Sequence, residues 1–209
     1  ILNGGDGNDL FDIDSGESIG SIAAGGGADT ISLGSGSIVS AVTLGAGADY
    51  FSAAIGTVAG NLVAGGGADT ITLAAFNKTG SVLNADSSVN GGGADLVSVQ
   101  VLGTSTNIKG KGGSDTITVG FAGVGSTVAG NAGGDLISVS GIAASGVQIQ
   151  AGSGNDTISL AVGAAVAGAA ALGAKNPALA LKLKRKSGTV SQGLGVASAF
   201  GGPTAAVAG

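Results

Sequence analysis

Apolar and polar residues alternate along this chain in short runs, and each run starts just after an aspartate. The aspartates are Asp9, Asp29, Asp49, Asp69, Asp95, Asp115, Asp135 and Asp156. Two residues on stand Phe11, Ile31, Phe51, Ile71, Val97, Ile117, Ile137 and Ile158. Four residues on stand Ile13, Leu33, Ala53, Leu73, Val99, Val119, Val139 and Leu160. Between them lie Asp12 and then a Ser or Thr in every unit. Such alternation predicts a strand with one buried face. A second apolar column falls seven residues before the next aspartate, at Ile22, Val42, Leu62, Ile108, Val128 and Ile149. The longest unit breaks that column, with Ser88 at the equivalent place and Val89 beside it.

The aspartates are separated by 20, 20, 20, 26, 20, 20 and 21 residues. Each unit reads as turn, strand, second turn, strand. One unit cannot bury its own apolar face, so the units must stack, with like strands parallel and about 4.8 Å apart. The expected fold is therefore all-β: a right-handed parallel β-solenoid of about eight 20-residue coils over residues 1–160. The six extra residues of the long unit, around Lys78–Asn90, read as a loop bulging from one coil.

Glycines punctuate the turn before each aspartate. Gly7, Gly27, Gly47, Gly67, Gly93, Gly113, Gly133 and Gly154 stand two residues ahead of it. Gly5, Gly25, Gly45, Gly65, Gly91 and Gly152 stand four ahead, where Lys111 and Asn131 are the exceptions. Glycine tolerates positive φ, which lets the chain turn sharply and aim its carbonyls at one point. A turn former alone would accept Asn, Ser or Gly at the aspartate position, yet all eight units carry Asp.

The segment GGDGNDLFD (Gly4–Asp12) fits the nonapeptide G-G-x-G-x-D-x-U-x in full, with U a large apolar residue. AGGGADTIS (Ala24–Ser32) loses only the first glycine, and GSGNDTISL (Gly152–Leu160) follows Ala151 in its place. From Gly4 to about Leu160 the chain resembles the RTX, or hemolysin-type, calcium-binding repeat family. That resemblance implies a β-roll, Ca²⁺ held by the eight aspartates and the glycine turns, type I secretion, and folding outside a bacterial cell. Calcium takes 6–8 oxygens, so one aspartate per turn cannot suffice and neighbouring turns would share each ion. Eight stacked turns leave seven gaps, hence up to seven ions. The family's usual roll carries nonapeptides on both edges. Here the second turn, as in GSGSIV (Gly34–Val39), lacks aspartate, so the ions are expected in a single row on one edge. Lys111 and Asn131 make the gaps beside them the weakest. Asp12, Asp14 and Glu17 read either as ligands of a further ion or, the preferred reading, as solvating an exposed end.

Composition sharpens this picture. The chain has no Cys and no His, which removes thiolate sites, the commonest general base and most zinc sites; an enzyme is not expected. Oxygen ligands remain, and they suit hard cations. Residues 1–160 hold all 13 acidic residues against three lysines, a net charge of −10. A column of carboxylates at strand spacing would repel itself without cations. No transmembrane segment is expected.

Residues 161–209 change character, with no acid and five of the eight basic residues: Lys175, Lys182, Lys184, Arg185 and Lys186. They read as an Ala/Gly-rich basic cap or extension, the alternative being a basic contact to an acidic surface, a membrane or another subunit's solenoid, with Ala161–Ala174 either helix or a degenerate coil. ALALKLKRK (Ala178–Lys186) alternates like a strand. Without interleaved aromatics, nucleic-acid binding is not expected. The chain begins at Ile1 almost inside a repeat, as expected of a piece of a longer surface protein. Three functions compete: a calcium-dependent structural segment of an S-layer, filament or adhesin that forms a homo-oligomer or polymer; the secretion module of a toxin or hydrolase; and an ice- or cell-surface-glycan-binding face. The third draws on the outward Ser/Thr column. Against ice, the turn positions are mostly small, as at Gly26, Ala28, Ala46 and Ala48.

Overall fold

A computed structural model describes residues 1–14, 16–34, 37–53, 57–86, 92–143, 145–162, 171–173 and 180–185. Among them the chain forms nineteen strands and no helix. They are β1 (Leu2–Asp6), β2 (Leu10–Ile13), β3 (Ser18–Gly26), β4 (Thr30–Leu33), β5 (Ser37–Ala46), β6 (Tyr50–Ala53), β7 (Thr57–Val58), β8 (Asn61–Gly66), β9 (Thr70–Phe76) and β10 (Val82–Asp86). There follow β11 (Leu96–Leu102), β12 (Asn107–Gly112), β13 (Thr116–Ala122), β14 (Thr127–Ala132), β15 (Leu136–Val139), β16 (Gln148–Ser153), β17 (Thr157–Val162), β18 (Ala171–Gly173) and β19 (Ala180–Arg185).

Two parallel sheets result. The first runs β1-β3-β5-β8-β10-β12-β14-β16-β18, with β7 added against β5. The second runs β2-β4-β6-β9-β11-β13-β15-β17-β19. Each coil gives strand to both sheets in turn, which makes the fold a parallel β-solenoid. From Asp9 to Asp156 the chain makes about seven turns.

Register explains why the sequence folds this way. Phe11 pairs with Ile31, Ile31 with Phe51, Phe51 with Ile71, and so on to Ile158, so like residues stack on like. From Ile31 to Ile158 this column is buried, and Phe11 packs partly buried at its end. The column four residues after Asp is buried from Ile13 to Leu160. The facing column from Ile22 to Ile149 closes the core from the first sheet. A further inner column lies five residues before Asp and is made of small residues: Ala24, Ala64, Gly110, Gly130 and Ala151, with Leu44 as its one large member. Alternation alone does not single it out, because Ala and Gly carry little hydropathic signal.

The long coil differs from its sequence reading. Its core position is filled by Leu83, in register with Leu62 and Ile108, and fully buried. Ser88 and Val89 lie outside the described residues. Strand β10 thus occupies part of the stretch read as a loop, and the chief insertion falls between Asp86 and Gly92, just before the turn. Burial decides this: a slip of five residues would place Ser88 in the core and leave Leu83 without a partner column.

The outer face of the second sheet carries the Ser/Thr column in register, from Asp12 paired with Ser32 to Ser138 paired with Ser159. Beside it, the residue after each aspartate alternates: Leu10, Thr30, Tyr50, Thr70, Leu96, Thr116, Leu136, Thr157. The four large members, Leu10, Tyr50, Leu96 and Leu136, are exposed. In the tail, β18 continues the first sheet with Leu172 opposite Ile149. Strand β19 continues the second, with Leu181 opposite Ile158 and Leu183 opposite Leu160. Part of the Ala-rich stretch is therefore a coil, as one of the two sequence readings has it, and the basic segment is a strand. Lys175 and Lys186 lie outside the described residues. Among the described residues no helix is long and apolar enough to cross a membrane.

Candidate metal-binding turns

In every coil the aspartate sits where the chain leaves the first sheet and enters the second, so all eight stand on one edge of the stack. The glycines ahead of it set the local backbone. At the position two before Asp, φ is positive at Gly7, Gly27, Gly47, Gly67, Gly113, Gly133 and Gly154, between 107° and 139°. Four before Asp, Gly5, Gly25, Gly45, Gly65 and Gly152 have φ between 101° and 126°. Lys111 and Asn131 keep the same left-handed turn at φ 82°. A side chain at either place costs roughly 1–2 kcal/mol of backbone strain, so the turn survives there without its glycine. Gly93 is the exception two before Asp, with no left-handed φ, and Gly91 lies outside the described residues.

The close stacking of coils is a second reason for glycine. A Cβ on Gly27 would strike the carbonyl of Gly7, and one on Gly65 the carbonyl of Gly45. At the second edge the turns close differently. Thr106 Oγ1 donates to the Gly103 carbonyl at 2.9 Å and Ser126 Oγ to the Gly123 carbonyl at 2.7 Å.

The aspartates form a ladder. The backbone N–H of Asp9 donates to Oδ1 of Asp29 at 2.8 Å, that of Asp29 to Asp49 at 2.8 Å, and that of Asp49 to Asp69 at 2.8 Å. The ladder continues through Asp69 to Asp95, Asp95 to Asp115, Asp115 to Asp135, and Asp135 to Asp156, at 2.8–3.0 Å. The carbonyl of each of the first seven aspartates accepts from the residue after the next one, as Thr30 N–H donates to Asp9 at 2.8 Å. One aspartate oxygen is thus a stitch between coils, a structural role that needs no ion.

The other oxygen is different. Oδ2 of Asp9, Asp29, Asp49, Asp69, Asp95, Asp115, Asp135 and Asp156 is buried and has no hydrogen-bond donor. At three of the turns a main-chain carbonyl lies beside it. A Cβ on Gly4 would meet both Asp9 Oδ2 and the Ala24 carbonyl. On Gly110 it would meet Asp115 Oδ2 and the Gly130 carbonyl, and on Gly130, Asp135 Oδ2 and the Ala151 carbonyl. Asparagine would keep the stitch through its own Oδ1 and would turn an N–H₂ toward that carbonyl. Two facing acceptors need a proton or a cation between them, because an unpaired buried charge is costly. The donor set is all oxygen and anionic, which fits a hard divalent cation.

Burial weakens the ionised form of these groups. Asp69 and Asp115 are pushed up to about 7, chiefly by desolvation; backbone hydrogen bonding opposes it and neighbouring aspartates add to it. Asp135 is pushed up to about 6, again by desolvation first and then by Asp156. Asp49 and Asp95 are raised for the same leading reason. No three carboxylates among the described residues are grouped so as to hold a metal by themselves. A cation in a turn would therefore take one or two carboxylates and complete its shell from main-chain carbonyls.

Asp12, Asp14 and Glu17 are exposed, in keeping with their reading as solvated end groups. Sequence reasoning missed Asp86. This side chain is fully buried, its Oδ1 has no donor, and its Oδ2 accepts from the Gly112 N–H at 3.3 Å. It is pushed up to about 6 by desolvation, then by the charge of Asp95. Its position opposite Gly65 marks it, since glycine stands there in five of the eight aspartate turns. That alignment is visible only once Leu83 is placed in the core. No family model, curated protein or solved structure matches the chain.

Proposed function

We propose that the chain is a calcium-dependent structural domain of a secreted bacterial surface protein, in which a row of Ca²⁺ ions along one edge locks the coils together. The observation that carries this reading is the column of eight buried Oδ2 atoms, each without a donor. Asp9, Asp29, Asp49, Asp69, Asp95, Asp115, Asp135 and Asp156 would supply the charge. Carbonyls of the glycine turns would supply the remaining oxygens. The bound cation neutralises the column; the chain itself shapes the turns, stitches them through Oδ1 and excludes water from Oδ2. Calcium-binding energy is then folding energy. The resemblance to RTX repeats supports the same reading and brings with it secretion through a type I route into calcium-rich surroundings.

Assembly into a surface layer or filament is supported by the outer face. Leu10, Tyr50, Leu96 and Leu136 project in register from every second coil and are exposed. A second copy offers the same spacing, so large residues of one can enter the Thr rows of the other. The array carries no catalytic constellation in this reading. A calcium titration followed by circular dichroism, with electron microscopy of the product, tests it. Strand signal should rise with calcium, and sheets or filaments should form. Full strand content in excess chelator, unchanged by added calcium, would sink the calcium reading. A calcium-folded chain that stays monomeric at high concentration would leave a secretion or folding module as the better description.

A further inference from the structure

In the long coil the turn is built differently from the other described turns. It inserts residues between Asp86 and Gly92, and Gly93 lacks the left-handed φ shared by its seven counterparts. It also brings a second acid to the edge. Asp86 stands in register with Gly65, where other coils put a glycine or the left-handed Lys111 and Asn131. Its side chain is fully buried, with Oδ1 facing no donor.

The surroundings of Asp86 converge. A Cβ on Gly92 would meet both Asp86 Oδ2 and the Gly112 carbonyl, so these two oxygens lie beside the same point. Asp86 belongs to the same coil as Asp95, between the turns of Asp69 and Asp115. Each of those three neighbours presents a buried Oδ2 with no donor. The altered turn has lost part of its backbone cradle and gained a carboxylate.

We propose that the long coil holds a divalent-cation site of a second kind, built from the carboxylates of Asp86 and Asp95 with the Gly112 carbonyl, which fills before the single-carboxylate turns. It rests on the calcium reading of the row and deepens it. Affinity in oxygen-ligand sites rises with the number of charged ligands, and this gap alone draws two carboxylates from one coil. Lying between Asp69 and Asp115, the site sits in the interior of the array, where ordering one coil templates neighbours on both sides.

The test is isothermal titration of the full chain with Ca²⁺, starting from chelator-treated protein. The wild type should show a first phase of about one ion per chain, at least about tenfold tighter than the rest. Asp86→Asn should lose that phase, keep the later one, and reach the same circular dichroism at saturating calcium. Gly92→Ala, whose Cβ enters the space of Asp86 Oδ2 and the Gly112 carbonyl, should weaken the same phase. Asp29→Asn, in an ordinary turn, should keep the first phase and lower the capacity of the second. An Asp86→Asn isotherm that matches wild type, with both binding calcium, overturns the Asp86 site and leaves the row standing. A first phase lost equally in Asp29→Asn also overturns it. No calcium uptake by the wild type overturns both.

Discussion

Replacing Asp115 by Asn should have opposite effects with and without calcium, and the sign change isolates the role of Oδ2. Asp115 Oδ1 accepts the Asp95 N–H at 3.0 Å, and asparagine keeps that bond. The change falls on Oδ2, which is buried, has no donor and lies beside the Gly130 carbonyl. In chelator at pH 8 the substitution removes an orphaned charge and adds a donor for that carbonyl. Relief of a buried unsatisfied group contributes about 1–3 kcal/mol. For a chain of this size 1 kcal/mol moves Tm by about 2–4 °C, so the melting point should rise by roughly 3–9 °C. In calcium the same change removes a charged ligand. An ion present at 1,000 times its Kd stabilises the folded state by about 4.1 kcal/mol; set against the relief that the variant keeps, losing one ion should leave a net loss of about 1–3 kcal/mol and lower Tm by roughly 3–9 °C. Thermal melts by circular dichroism in the two buffers measure both shifts. A shift of the same sign in both, or none in either, would refute the claim that Oδ2 awaits a cation.

Other outcomes follow from the same geometry. In chelator, stability should depend on pH in the direction set by raised carboxyl values. Asp69 and Asp115 lie at about 7, and Asp86 and Asp135 at about 6, against 3.8 when unfolded. The folded state binds these protons more tightly, so its stability should be fullest below pH 4 and fall as pH rises through 6 to 7. Denaturant midpoints between pH 4 and 8 would show it, and a midpoint rising with pH would contradict it. Gly65→Ala should be markedly worse than Gly5→Ala. Both need a left-handed φ, costing about 1–2 kcal/mol, but only the first drives a Cβ into a neighbouring carbonyl, while the second meets nothing within 4 Å. Comparing their denaturant midpoints checks the ranking. Leu83→Ala should cost about 2–5 kcal/mol, read from equilibrium unfolding in calcium, because Leu83 is fully buried. A cost under 1 kcal/mol would contradict the place of Leu83 in the core column.

The sequence by itself determined the repeat, and through it the architecture. The period of 20 residues, the alternation after each aspartate and the second apolar column name the strands and their inward faces. Parallel stacking follows, because no coil can bury its columns alone. The glycines name the sharp turns, and the structure keeps the turn even at Lys111 and Asn131. Three matters were decided only by tertiary structure. The first is register in the long coil, where Leu83 takes the core place that counting back from Asp95 assigns to Ser88; burial across neighbouring strands outweighs distance along the chain. The second is Asp86, whose alignment with Gly65 exists only after that register is set. The third is the division of labour within each aspartate. Sequence shows a carboxylate per coil. Stacking turns one oxygen into a stitch and seals the other among acceptors, because only the neighbouring coil supplies both the N–H that satisfies Oδ1 and the carbonyl that leaves Oδ2 wanting a positive charge.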